Sequence, residues 1–172
     1  MALNYSDLYE GRALDAWKRT VDNWDVIDRS LICQVQLCKI RATHVRGRAA
    51  LAVLSNGDCG TSKKRLFERE VRGAVAALVR TRAPWAVAVA GLLMAGLANC
   101  TGDRDSAVAH LDSSIEGLDG LGMVLYAACA RRFRGRLIGG DVGAAEMATQ
   151  DLWMKHRAVV EPASMMAMLV PG

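Results

Sequence analysis

Leu14, Trp17, Val21 and Trp24 recur at spacings of three, four and three, and Asp15, Lys18, Arg19, Asp22 and Asp25 occupy the positions between and beside them. Such a stripe is one face of an amphipathic helix and predicts a helix from Arg12 to about Ile27. A second stripe, Leu31, Val35, Cys38, Ala42 and Val45, predicts a long helix from Ser30 to Leu54, interrupted only by Gly47, with Arg41, Arg46 and Arg48 outside the stripe. The turn-forming run Ser55-Asn56-Gly57-Asp58-Cys59-Gly60 ends it. Thr61 or Ser62 caps the next helix, which turns Phe67, Val71, Ala74 or Val75, and Leu78 inward and stops at Arg80-Thr81-Arg82. Pro84 opens a wholly apolar helix, and Asp103 or Asp105 starts another that carries Val108, Leu111, Ile115 and Leu118 and ends at Gly120 to Gly122. Helices from about Met123 to Ile138, from about Gly143 to His156 and from Pro162 to Leu169 complete the series.

No stretch of useful length alternates with the period of two that a strand requires. The expected fold class is therefore all-α, a single domain over residues 1–172, with consecutive helices joined by short turns and antiparallel to their neighbours. The segment from Ala83 to Thr101 carries no charge and approaches the length of a membrane span. Much of it is Ala and Gly, which insert weakly, and Asn99 and Cys100 lie within it, so it reads as a buried central helix.

Gly at a turn followed five positions later by Ala recurs as Gly11 with Ala16, Gly102 with Ala107 and Gly140 with Ala145. Glycine can end one helix in a left-handed conformation, and alanine lets the next helix approach its partner closely. Gly57 shares the turn without the alanine, and the repeats are longer than the ~34 residues of a standard tetratricopeptide unit. The expected architecture is a set of lengthened, tetratricopeptide-like antiparallel helical hairpins stacked as a short right-handed solenoid or bundle. Tyr5 to Gly11 reads as the second half of a hairpin whose first half is missing, an open end that invites dimerisation.

Composition agrees with helix, since 52% of residues are hydrophobic but only 5% are aromatic. A chain of this length buries roughly 70% of its unfolded surface and needs no metal or disulfide to fold. The net charge of +4, from 22 basic and 18 acidic side chains, does not demand a nucleic-acid or membrane partner. The cysteines Cys33, Cys38, Cys59, Cys100 and Cys129 form an odd set without a C-x-x-C pair, and no secretion signal precedes them. They read as reduced, mostly buried thiols of a cytoplasmic protein.

Candidate chemistry is sparse. His44, His110 and His156 fall on different helices with no second ligand at a metal spacing, and no G-x-S-x-G elbow accompanies the serines, so neither a metal, a cofactor nor a catalytic group is expected. The basic runs are Lys39, Arg41, Arg46 and Arg48 on one helix and Arg131, Arg132, Arg134 and Arg136 on another. Facing one groove, they would bind phosphate or an acidic peptide; otherwise they are solvated outer faces. Lys39, Arg41, Arg46, Arg48, Arg131 and Arg134 are the candidate partner-binding residues. Trp17 and Trp24 read as packing, whereas Trp153-Met154 and Met165, Met166 and Met168 form either an adaptable surface or a terminal cap.

The segments DLYEGRALDAWKR, DRSLICQVQLCKIRATHVRGRAALAVL, RTRAPWAVAVAGLLMAGLANCTGDRDSAVAHL, LYAACARRFRGRLIGGD, DLWM and EPASMMAMLVPG cover most of the chain. Together they resemble the C-terminal tetratricopeptide-like region of large multidomain bacterial serine/threonine protein kinases of the myxobacterial type. The Gly-Gly-Asp turn, the Trp-Met pair, the Pro before a Met-rich helix and the closing Pro-Gly come in the family's order. SNGDCGT is a more polar turn than the family's. The resemblance implies a helical module that docks, scaffolds or senses, with a protein or peptide partner, a kinase domain or a second copy of the chain. It implies no kinase activity, because the Gly-rich loop, V-A-I-K, H-R-D and D-F-G motifs are all missing from the sequence. A small-ligand pocket between hairpins is the alternative.

Overall fold

The computed structural model describes residues 2–30 and 35–172, and all regular structure among them is helical. The helices are α1 (Ala2–Tyr9), α2 (Ala13–Asp22), α3 (Trp24–Arg29), α4 (Gln36–Ser55), α5 (Thr61–Arg80), α6 (Pro84–Cys100), α7 (Arg104–Gly120), α8 (Val124–Ile138), α9 (Gly140–Lys155) and α10 (Pro162–Leu169). Packing follows chain order: α1 lies on α2, α4 on α5, α6 on α7 and α8 on α9. Between these pairs α2 meets α4, α5 meets α6, and α7 meets α8, so each pair stacks on the next. α10 then returns to pack on α1 and α8, and touches α4 and α9.

Each of the four pairs turns on a left-handed glycine: Gly11 (φ 76°), Gly57 (φ 72°), Gly102 (φ 84°) and the consecutive Gly139 and Gly140 (φ 66° and 59°). These are the repeating glycines of the sequence, and a β-carbon would strain each of them. Ala16 and Ala107 are fully buried as the repeat predicts. Ala145 is exposed instead. In that pair the close approach is made by Gly143, whose absent β-carbon would lie 2.2 Å from the Gly135 carbonyl oxygen.

The first hairpin departs from the sequence reading. Ala2–Tyr9 pairs with α2 across Gly11, so it is the first half of a hairpin rather than the second half of a missing one. The expected long helix is broken at Asn23 into α2 and α3. The buried line of α2 is Ala13, Ala16 and Thr20, one position ahead of the expected stripe, while Leu14 and Val21 are exposed. Small residues take that line because α1 presses on it: the Asn4 amide donates to the Ala16 carbonyl oxygen and to Thr20 Oγ1. Trp17 packs edge-on against Phe67 of α5, with ring centroids 5.2 Å apart. The start of the second predicted helix, including Leu31, lies outside the described residues, and Val35 is exposed.

α6 is the central helix, buried on most of its circumference through Ala86, Val89, Leu92, Leu93, Gly96 and Leu97. No helix among the described residues is long and apolar enough to cross a membrane. α7 is capped by Asp103 rather than Asp105, its carboxylate accepting from the Ser106 amide at 3.1 Å and the Ser106 hydroxyl at 2.7 Å.

Candidate functional site

Leu37, Arg41, His44 and Arg48 follow one another at spacings of four, three and four, and so share one face of α4. That face is turned toward α1, α6, α8 and α10, and the five helices line a groove of about 630 Å³. Its walls are apolar: Trp85 and Val89 of α6, Leu125 of α8, and Met165 and Met168 of α10. Tyr5, Arg41, His44 and Tyr126 bring polar groups to it, and no acidic residue is among those lining it.

Arg48 lies beneath this groove with an exposure of 0%. Its Nη1 donates to the Met168 carbonyl oxygen at 2.9 Å, and its Cζ sits 4.6 Å from the centroid of the Tyr5 ring. Its Nε and Nη2 have no hydrogen-bond partner, and no ion pair joins it to any acid among the described residues. An unpaired buried charge is costly, which makes this the strongest anomaly in the molecule.

One turn away, the His44 ring lies 6.0 Å from the Tyr126 ring, and its Nε2 is also without a partner. Burial first, and then the Arg48 charge, hold His44 well below the ordinary histidine range, so the imidazole is neutral at pH 7. Burial likewise pushes the Tyr126 phenol up.

These groups predict two separate pH effects on stability. The unfolded chain protonates His44 near pH ~6.5, but the folded protein resists protonation there, so stability falls as pH drops through that value. Asp7, held below the ordinary carboxylate value mainly by its hydrogen bond from Arg12, contributes stability that is lost only below about pH 4. Thermal unfolding of the wild type is expected to show a falling Tm from pH 7 to pH 5, with a flatter profile in His44→Gln. Identical slopes in the two proteins would rule out the buried neutral histidine as the cause.

The six candidate cations do not converge on one groove. Arg41 is exposed at the groove just described and Arg48 is buried under it. Lys39 and Arg46 line a different, smaller groove on the other side of α4 with Trp24 and Glu70. There Arg46 pairs with Glu70 at 2.8 Å and covers the Trp24 ring at 4.4 Å. Arg131 pairs with Asp119 of α7, while Arg134 reaches both Asp112 of α7 and Glu146 of α9. Arg132 pairs with Asp151 of α9 at 2.6 Å, and Arg136 donates to the Gly172 carbonyl oxygen. The α8 arginines thus fasten α8 to α7, α9 and the C-terminal residues.

Sequence reasoning missed Tyr5, His44 and Tyr126 as a group. The signal available was the 37, 41, 44, 48 spacing on α4, which places a histidine between two arginines on a single face. The methionines divide: Met166 is buried, and Met165 and Met168 wall the groove. Cys129 is buried and its thiol is pushed up to about 12 by desolvation, so it is an inert core group. Among the described residues no cluster of three metal-ligating side chains occurs. No protein-family model matches the chain, and no curated protein or solved structure matches it either.

Proposed function

We propose that this chain is a non-catalytic helical-repeat module of tetratricopeptide-like hairpins that serves protein–protein interaction, scaffolding or regulation. The observation that carries this reading is the origin of the groove walls. α1, α4, α6 and α8 are the first helices of the four successive hairpins, and all four contribute to one groove. A stack of repeats that offers one continuous face for recognition is organised in this way. The groove holds a mostly apolar lining with a few polar groups, the character of a recognition surface. The resemblance of the chain's sequence segments to kinase-tail regions supports the same reading, with a kinase domain or a second copy among the proposed partners.

The test places a photo-crosslinking amino acid at Trp85, inside the groove, and in a second protein at Val142, which is 73% exposed on α9. The expected result is one dominant protein adduct from position 85 and none from position 142. Equal capture at both positions, or none at position 85, would sink the reading.

A second reading, a small-ligand sensor with its pocket between hairpins, is favoured by one specific observation. The buried donors of Arg48 and the Nε2 of His44 are left without partners at the base of this groove. Such groups are ordinarily satisfied in folded proteins.

A further inference from the structure

We propose that the groove between α1, α4, α6, α8 and α10 binds a small amphipathic monocarboxylate, whose head group pairs with Arg48 and whose apolar body lies along Trp85, Val89 and Met165. This rests on reading the groove as a ligand pocket, and it names the ligand's chemistry.

The argument begins with the guanidinium. Arginine recognises a carboxylate best through two parallel N–H groups on one edge of its plane. In Arg48 the Nη1 is already used by the Met168 carbonyl oxygen. The two nitrogens left over, Nε and Nη2, form the side edge that presents such a pair, and both are unsatisfied. A single anionic head group with two oxygens in a plane satisfies both at once. Phosphate would bring a second charge and a tetrahedral shape, and the site has no second buried cation to meet them.

The surroundings select for the same class. Tyr5, whose ring lies over the guanidinium, and Met168, whose carbonyl oxygen accepts from it, both line the groove, so the charge lies directly behind the groove wall. Met168 is unbranched, and its flexible thioether side chain belongs to the adaptable part of the groove wall. His44 and Tyr126 line the groove beside it, each able to donate a hydrogen bond to a carboxylate oxygen. Arg41 adds a second positive charge at the exposed rim, and no acid among the lining residues opposes it. A cationic ligand is repelled by this field, and a neutral one leaves the guanidinium edge unpaired. The volume of about 630 Å³ falls within the range of pockets for small organic ligands.

Decanoate, decanol and decyltrimethylammonium, titrated separately into the purified protein below their micelle concentrations, supply the test. Calorimetry gives affinity, and the difference in emission between wild type and Trp85→Phe reports occupancy of the groove. Decanoate is expected to bind at one per chain, about tenfold or more tighter than decanol, and decyltrimethylammonium not at all. In Arg48→Met the preference for decanoate over decanol is expected to vanish while decanol binding persists. Should that variant fail to fold, Arg41→Met on the rim is expected to weaken decanoate several-fold and leave decanol unchanged.

Decanol binding as tightly as decanoate, or a preference that survives both substitutions, would overturn the carboxylate assignment while leaving the pocket in place. A Trp85 signal that responds to none of the three amphiphiles would remove the pocket reading as well.

Discussion

Gly143→Ala is expected to lower the unfolding free energy by about 3 kcal/mol, although alanine is the better helix former by about 1 kcal/mol. The reason is the crossing of α8 and α9. A β-carbon at 143 would lie 2.2 Å from the Gly135 carbonyl oxygen and 3.2 Å from its carbonyl carbon. At 135 it would meet the Gly143 carbonyl oxygen at 2.8 Å. Both obstacles are helix backbone, so relief requires the two helices to part, which strains the ion pairs from Arg132 and Arg134 to α9. Gly73, in the middle of α5, is the matched control, because nothing lies within 4 Å of its absent β-carbon. Gly73→Ala should raise stability by about 0.5–1 kcal/mol. Urea denaturation of the two variants checks the pair, and a Gly143→Ala protein at least as stable as the wild type would show that the helices are not held this closely.

The contrast between those glycines shows where local sequence stops being informative. Gly73 and Gly143 look alike in the chain, and only the neighbour across the interface separates them. Elements bounded by strong punctuation were legible: α6 and α10 each carry Pro at the first turn, α7 has its Asp103 cap, and the hairpin turns carry left-handed glycines. The break at Asn23 carries no such signal, so periodicity alone ran through it and set the stripe of α2 one residue too late. The partner of that stripe, Asn4 on α1, belongs to another helix.

The groove was harder to read for the same reason. Tyr5, His44, Trp85 and Tyr126 come from four hairpins, and no spacing in the chain relates them. Arg48 was visible as a cation, and arginine is ordinarily exposed, so its complete burial depends on α10 returning over α4. The meaning of the α8 arginines likewise lay in acids on α7 and α9. A dense basic run suggests a binding surface only until its counter-charges are located.

Phe133→Ala is expected to cost about 4 kcal/mol and, beyond that loss, to loosen the wall of the groove. Phe133 is fully buried, with the Arg136 guanidinium carbon 4.6 Å from its ring centroid. The last residues of the chain pass between this ring and Gly96. A β-carbon on Gly96 would meet the Pro171 carbonyl oxygen at 2.2 Å, and one on Gly172 would meet the Phe133 ring at 2.8 Å. The wedge holds the end of α10, whose Met165 and Met168 form one side of the groove and whose Met168 carbonyl oxygen is the sole hydrogen-bond partner of Arg48 among the described residues. Emptying the ring's volume therefore frees α10 before it unfolds the hairpins. Hydrogen exchange should show α10 amides losing protection far more than those of α6, and Phe133→Leu should recover most of both effects because it restores most of the volume. Gly96→Ala reaches the same end by crowding rather than by emptying, and should release α10 at a smaller cost of about 2 kcal/mol. Uniform loss of protection across α6 and α10 in both variants would mean that the C-terminal segment is an inseparable part of the core, and that the groove has no movable wall.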